Sequence, residues 1–128
     1  MGNLMQTLML SASGMQAQSG RLRTVSENIA NADTPGFQRK TVSFKETLGD
    51  TPGLVRLGDV RLDRSELTSI YDPGHPLADD TGHYDGSNVD LVVEIADARE
   101  AQRSYEANLR MFDQARQMSA SLLDLLRR

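Results

Sequence analysis

Asn28-Ile29-Ala30-Asn31-Ala32-Asp33-Thr34-Pro35-Gly36-Phe37 ends a helix and turns the chain, and each step has its own cause. Asn31 tolerates the left-handed conformation that a helix C-terminus favours. Thr34 precedes a proline and is pushed out of the α region. Pro35-Gly36 suits the two central positions of a type II turn, with Gly36 supplying φ > 0. Phe37 leaves the turn as an apolar anchor. An ordinary helix stop needs only one or two of these residues.

Upstream of this segment, Leu8, Met15, Leu22 and Ile29 recur every seven residues, in one row with Met1. Such spacing predicts a helix over about 3–31 with one slowly drifting apolar stripe. Its surface carries few charges (Arg21, Arg23, Glu27) and two glycines. Gly14 and Gly20 each cost about 1 kcal/mol relative to Ala in a helix interior, so this helix is expected to be weak alone.

Downstream, all four prolines and seven of the ten glycines fall between Pro35 and Gly86, which marks a turn-rich middle. Beyond it, Ser87 to Arg128 contains neither Gly nor Pro. Ser87 with Asp90 three residues on reads as a capping box, and a helix of about 40 residues would be roughly 60 Å long. Leu91, Ala98, Tyr105, Phe112, Ser119 and Leu126 form a seven-residue row there, with Leu109 among the residues flanking it. Asp90, Glu94 and Asp97 open this helix and Arg127-Arg128 close it, as the helix dipole favours. The expected fold is mainly α: N- and C-terminal helices forming a coiled-coil-like inner domain, with a small turn-rich β middle. Its parts are 1–34, 35–86 and 87–128. The assembly seam is expected on Leu8, Met15, Leu22 and Ile29, with Leu91, Tyr105, Leu109 and Phe112 opposite.

Within the middle, 37–44 reads as an edge strand. Leu54-Val55-Arg56-Leu57 and Val60-Arg61-Leu62-Asp63 flank Gly58-Asp59, a two-residue hairpin signal. Leu67 to Tyr71 reads as a third strand of one small sheet, which would be marginal on its own.

Composition excludes more than it selects. The chain of 128 residues has net charge −4, 38% hydrophobic and 5% aromatic residues, and no Cys or Trp. The acidic balance argues against nucleic acid, whose binding needs clustered Lys and Arg. Few aromatics make a large single core doubtful. The absence of Cys removes disulfides and thiolate zinc sites, and no apolar run is long enough to insert in a membrane. Met1-Gly2 lacks the Ser or Thr at position six that myristoylation wants. The apolar stretch Leu4–Leu10 lacks the preceding positive charge of a secretory signal, so no cleaved signal peptide is expected. No nucleophile motif or phosphate loop is present, so no enzyme activity and no cofactor are expected. His75 and His83 with Asp79, Asp80 and Asp85 lack metal-ligand spacing and read as a solvated acidic loop, with no metal.

Taken as a unit, 28–37 resembles the signature of the bacterial flagellar rod and hook family, with Asn28, Ala30, Asn31, Thr34, Gly36 and Phe37 in the matching positions. Met15–Gln18 and Arg21-Leu22 are similar to the helix that precedes it in that family. Tyr71-Asp72-Pro73-Gly74-His75-Pro76-Leu77-Ala78-Asp79, Asn88-Val89-Asp90 and Arg103–Asn108 resemble segments of one proximal rod type, with His75 where that type usually has Asn. The compact passage between Asn31 and Gly36 is similar to a second rod type.

The resemblance implies an axial structural subunit of the basal-body rod. It implies export through the flagellar type III apparatus without a cleaved signal. It also implies terminal helices that polymerise around a central channel in the periplasmic rod. The implied partners are the same chain, other rod proteins, adjacent basal-body components at the rod base and the export apparatus. Two alternatives remain beside it: a non-axial coiled-coil adaptor, and a binding module using the His75–Asp85 loop.

Overall fold

The computed structural model describes residues 2–47 and 53–127, so Met1 and Arg128 of the seam and capping expectations lie outside the described residues. Two long helices, α1 (Gly2–Ala30) and α2 (Leu91–Leu126), flank six short strands. They run antiparallel: Asn28 meets Glu94 at one end, Arg21 meets Asp97, and Gly14 faces Asn108 midway along. With 29 and 36 residues they are about 43 and 54 Å long.

The two helical glycines sit where something must come close. A Cβ on Gly14 would lie 2.7 Å from the Asn108 side-chain oxygen, and one on Gly20 would collide with Leu57. Their cost in helix propensity is offset by that packing.

Asp90 caps α2 from an extended conformation (φ −104°), its carboxylate accepting from the Val92 N–H at 3.0 Å. The capping box expected at Ser87 is therefore corrected. The Ser87 hydroxyl donates instead to the Ala32 carbonyl, which holds residues 87–89 against the end of α1 and delays α2 to Leu91. At the end of α1, Asn31 is not left-handed, since no described non-glycine residue has positive φ. Its side chain caps instead, donating to the Glu27 carbonyl at 2.8 Å.

In the middle, the strands make three two-stranded antiparallel ladders. β1 (Lys40–Thr41) pairs with β4 (Arg61–Leu62), and β2 (Phe44–Glu46) pairs with β3 (Val55–Leu57). These two ladders are one interrupted hairpin. Val42-Ser43 on one strand face Gly58-Asp59-Val60 on the other, which shifts the register by one residue between Thr41↔Arg61 and Phe44↔Leu57. The hairpin turn expected at Gly58-Asp59 is thus a β-bulge, in which an extra residue bends the returning strand. The expected third strand, β5 (Ser69–Tyr71), joins no common sheet; it pairs with β6 (His83–Asp85), a strand the sequence reading missed.

The interior is small and partly polar. Ala17, Val25, Ala101 and Ala115 are its buried apolar residues, beside buried Ser11, Thr24, Asn28, Ser87 and Glu94. The large apolar side chains lie outside.

Candidate assembly surface

One polar cluster ties the helix pair to the middle. The Asn28 amide is buried and reads the backbone of β1 as a strand would: Nδ2 donates to the Lys40 carbonyl and Oδ1 accepts from the Lys40 N–H, both at 2.9 Å. Its Nδ2 also lies 3.4 Å from Glu94 Oε2. The Glu94 carboxylate is fully buried and paired with the Arg39 guanidinium. Asn88 works from the other side. Its Oδ1 accepts from the Arg39 N–H at 2.6 Å, and its Nδ2 donates to the Asp63 carbonyl at 2.9 Å. Five segments therefore meet through side chains that satisfy one another, which is what makes a buried polar group tolerable. The sequence reading missed Arg39 and Glu94. Glu94 looked like a dipole-favoured residue of a first turn; the signal lay in its row, where Ala101, Asn108 and Ala115 follow at sevens.

The turn motif lies against this cluster. Ala30 is the last residue of α1. Asn31 Oδ1 accepts from the Thr34 hydroxyl at 3.1 Å. The Phe37 N–H donates to the Thr34 carbonyl at 3.2 Å, closing a turn with Gly36 at φ +74°. The Gly36 N–H reaches the carbonyls of Asp85 and Gly86 at 3.2 and 3.1 Å, so the turn also holds β6. Space around Gly36 is open; only its φ resists a side chain. Gly36→Val is expected to cost about 1–3 kcal/mol in backbone strain and to re-aim Phe37 and β1. A urea titration followed by circular dichroism should show the midpoint falling, and an unchanged midpoint would show that the turn is only a helix stop. Pro35→Ala should be milder.

Of the expected seam residues, Leu8, Met15, Leu22, Tyr105 and Phe112 are half-buried, while Ile29, Leu91 and Leu109 are exposed. The helices make their closest contacts beside that stripe. They pack on neighbouring rows through Ser11, Gly14, Val25 and Asn28 against Glu94, Ala101, Asn108 and Ala115, where small residues let the backbones approach. Met5, Met9, Val92, Ile95, Met111, Met118 and the four leucines 122, 123, 125 and 126 join the exposed set.

The acidic loop has no metal-binding group of His and carboxylates among the described residues. Its imidazoles serve the turn. His75 stacks on Tyr84 at 3.9 Å between ring centres, its Nδ1 accepting from the Leu77 N–H at 3.1 Å. His83 tilts against Tyr71 at 5.0 Å. Asp79 Oδ1 accepts from the Thr81 hydroxyl (2.6 Å) and from the N–H groups of Thr81 and His83. Those bonds, the Thr81 hydroxyl first, hold the Asp79 carboxyl below its usual pKa, as the Ser65 N–H does for Asp63. A carboxyl depressed on folding contributes stability that is complete above its unfolded pKa of about 3.9 and is lost as pH falls through the folded value. Protection of the Thr81 amide against hydrogen exchange is therefore expected to persist through mild acid and to fail below the ordinary carboxylate range. Loss already near neutrality would mean that another group governs the turn. No described helix is long and apolar enough to cross a membrane.

Comparison with known proteins places these features together. Residues 8–38 match the family model described as flagella basal body rod protein, and residues 81–125 match that of the flagellar basal body rod FlgEFG protein C-terminal region. The chain is 46% identical to the flagellar basal-body rod protein FlgC of Agrobacterium fabrum, over 92% of this chain and 91% of that one. It is 33% identical to FlgC of Escherichia coli O6:H1 (91% and 92% covered) and 38% identical to FlgC of Aquifex aeolicus (88% and 89%). The two matched regions contain the turn motif and most of α2.

Proposed function

The chain belongs to the flagellar basal-body rod protein family, of the FlgC type, and from that premise we propose how its surface serves the rod. It is a structural subunit of the flagellar basal body. Its arms, 1–34 and 87–128, act as the inner domain and the middle, 35–86, as the outer part. The arms polymerise with copies of this chain and with other rod proteins, leaving a central channel for export. The subunit sits in the periplasmic rod and is delivered unfolded by the flagellar type III apparatus, without a cleaved signal. It contacts adjacent components at the rod base. It binds neither nucleic acid nor membrane and catalyses no reaction.

One observation carries this reading: the apolar chemistry of the helix pair is inside out. Alanines, a glycine and the buried Asn28 and Glu94 side chains fill the contact between α1 and α2, while Leu91, Val92, Val93, Ile95, Leu109 and Met111 stay exposed along α2. Leu91, Ile95 and Leu109 share one flank of α2 and Val93 and Met111 the opposite one; apolar surface left open in this way marks a protein–protein interface, and burying each such side chain contributes about 1.5–3 kcal/mol. A subunit with so little internal core is easily kept unfolded for export and gains its stability on assembly. The seam residues Leu8, Met15, Leu22 and Ile29, with Leu91, Tyr105, Leu109 and Phe112, line the flanks that neighbours cover.

Dilution tests this reading against the two alternatives. A rod subunit studied below micromolar concentration should show by circular dichroism fewer helical residues than the 29 and 36 of the two helices: the half tied to the Glu94 cluster keeps its fold, and elsewhere short-range helix propensity alone sustains little helix. The half beyond Gly14 and Asn108, distant from the Glu94 cluster, should fray first. A stable, fully helical monomer would favour the binding module, and a discrete dimer at all concentrations the adaptor.

A further inference from the structure

The middle segment is electrically divided. Residues 39–64 carry six Lys/Arg against four Asp/Glu, whereas residues 65–90 carry six Asp/Glu and no Lys or Arg. Arg39 and Lys40 are consumed by Glu94 and Glu27. Lys45 and Arg56 are not: they stand directly opposite each other across β2–β3 and make no ion pair among the described residues. Like charges in that position repel and destabilise a ladder. The arrangement therefore favours an anionic partner, and no carboxylate among the described residues pairs with either side chain.

The two hairpins also attach near different ends of α1. The β2–β3 hairpin lies along α1 toward its N-terminal half, where the Val55 N–H donates to the Ser13 hydroxyl at 3.2 Å and Gly53 abuts Leu10. The β5–β6 hairpin leaves from the Gly36 turn, and no packing comparable to that of β1 and β3 on α1 joins it to either helix. Its register places Tyr71 and Asp85 on one face with His83. Tyr71 is 67% exposed. The face thus offers the Asp85 carboxylate beside an aromatic ring, and a guanidinium is attracted to both.

Building on the rod reading, we infer that the Tyr71–Asp85 face of β5–β6 in one subunit seats on Lys45 and Arg56 of β2–β3 in a second copy of this chain. Opposite charges at opposite ends of one segment make a head-to-tail contact. A heterologous contact of that kind does not close on itself but propagates along a helix, as a rod requires. Complementary charge also sets register and speeds encounter.

The absence of native cysteine makes the test clean. Two differently tagged copies, one Arg56→Cys and one Asp85→Cys, are co-expressed in cells lacking the wild-type chain, and isolated basal bodies are treated with a short bismaleimide. The expected result is a product carrying both tags, absent when either cysteine is omitted. Copies that enter basal bodies but yield no joined product, or join a different protein, overturn the docking and leave rod membership intact. Basal bodies containing neither copy, although wild type enters them, send the test to charge exchange. There, Arg56→Glu should abolish the swimming ring, and adding Asp85→Arg should restore at least half its diameter. Failure to restore, with the protein present in the cell, overturns the docking. If the wild-type chain itself is absent from basal bodies, the rod reading falls.

Discussion

Arg39→Ala is expected to destabilise the chain by about 3 kcal/mol, the lower end of the cost of breaking a buried ion pair by removing one partner. The reason is Glu94. Its side chain has no exposure at all, while that of Arg39 keeps 24%. Truncating Arg39 leaves a carboxylate without its counter-charge, with Asn28 Nδ2 at 3.4 Å as its remaining polar contact among the described residues. For a small chain whose total stability is of order 5–15 kcal/mol, that is a large fraction. A urea titration followed by circular dichroism should show the midpoint falling. Arg39→Met combined with Glu94→Leu should recover most of the loss, because replacing both partners by apolar groups of similar size is often neutral. The Asn28 bonds to Lys40 are untouched in that variant. If the double variant is as unstable as Arg39→Ala, the pair holds more than its own charges, and the cluster rather than the ion pair is the unit.

Helical periodicity made the two arms legible, because seven-residue spacing and the lack of Gly and Pro after Ser87 admit few other readings. The turn at Thr34–Phe37 was legible because Pro35 fixes φ at the first central position and Gly36 tolerates the positive φ of the second. What periodicity could not decide was which of two adjacent rows meets the other helix. Hydrophobicity points to Leu8, Met15, Leu22 and Ile29, but close approach is governed by small residues, and Gly14, Ala17, Ala101 and Ala115 carry no such signal.

The polar side chains misled for a different reason. Ser87, Asn88, Asp90 and Glu94 form a plausible helix start by local rules, and three of them are used in long-range contacts instead. Local capping preference is worth about 1 kcal/mol, so a tertiary hydrogen bond to a buried carbonyl competes with it. Gly58-Asp59 failed as a turn signal because a bulge asks for the same residues as a tight turn. The rod family was legible in 28–37 and its companion motifs, and the comparisons bear it out; composition had only excluded classes, and an inside-out helix pair alone would fit an adaptor as well as a rod.

Leu109→Asp is expected to leave the isolated chain almost unchanged and to abolish swimming. Leu109 is 40% exposed in the subunit, and substitutions at such surface positions usually fall within about 0.5 kcal/mol. On the proposed seam the same position lies under a neighbour in the rod. There, an aspartate buried without a partner costs several kcal/mol per subunit, repeated at every copy. Leu22→Asp should differ in kind. Leu22 is half-buried against the rest of its own chain, so the charge weakens the subunit as well as the assembly. The pair of variants therefore separates folding from polymerisation: equal urea midpoints for wild type and Leu109→Asp with no swimming ring, against a lowered midpoint and no ring for Leu22→Asp. Normal swimming in Leu109→Asp would show that this flank of α2 faces solvent or the channel in the assembled rod, and the seam would then have to move to the opposite flank, where Val93, Met111 and Met118 are exposed.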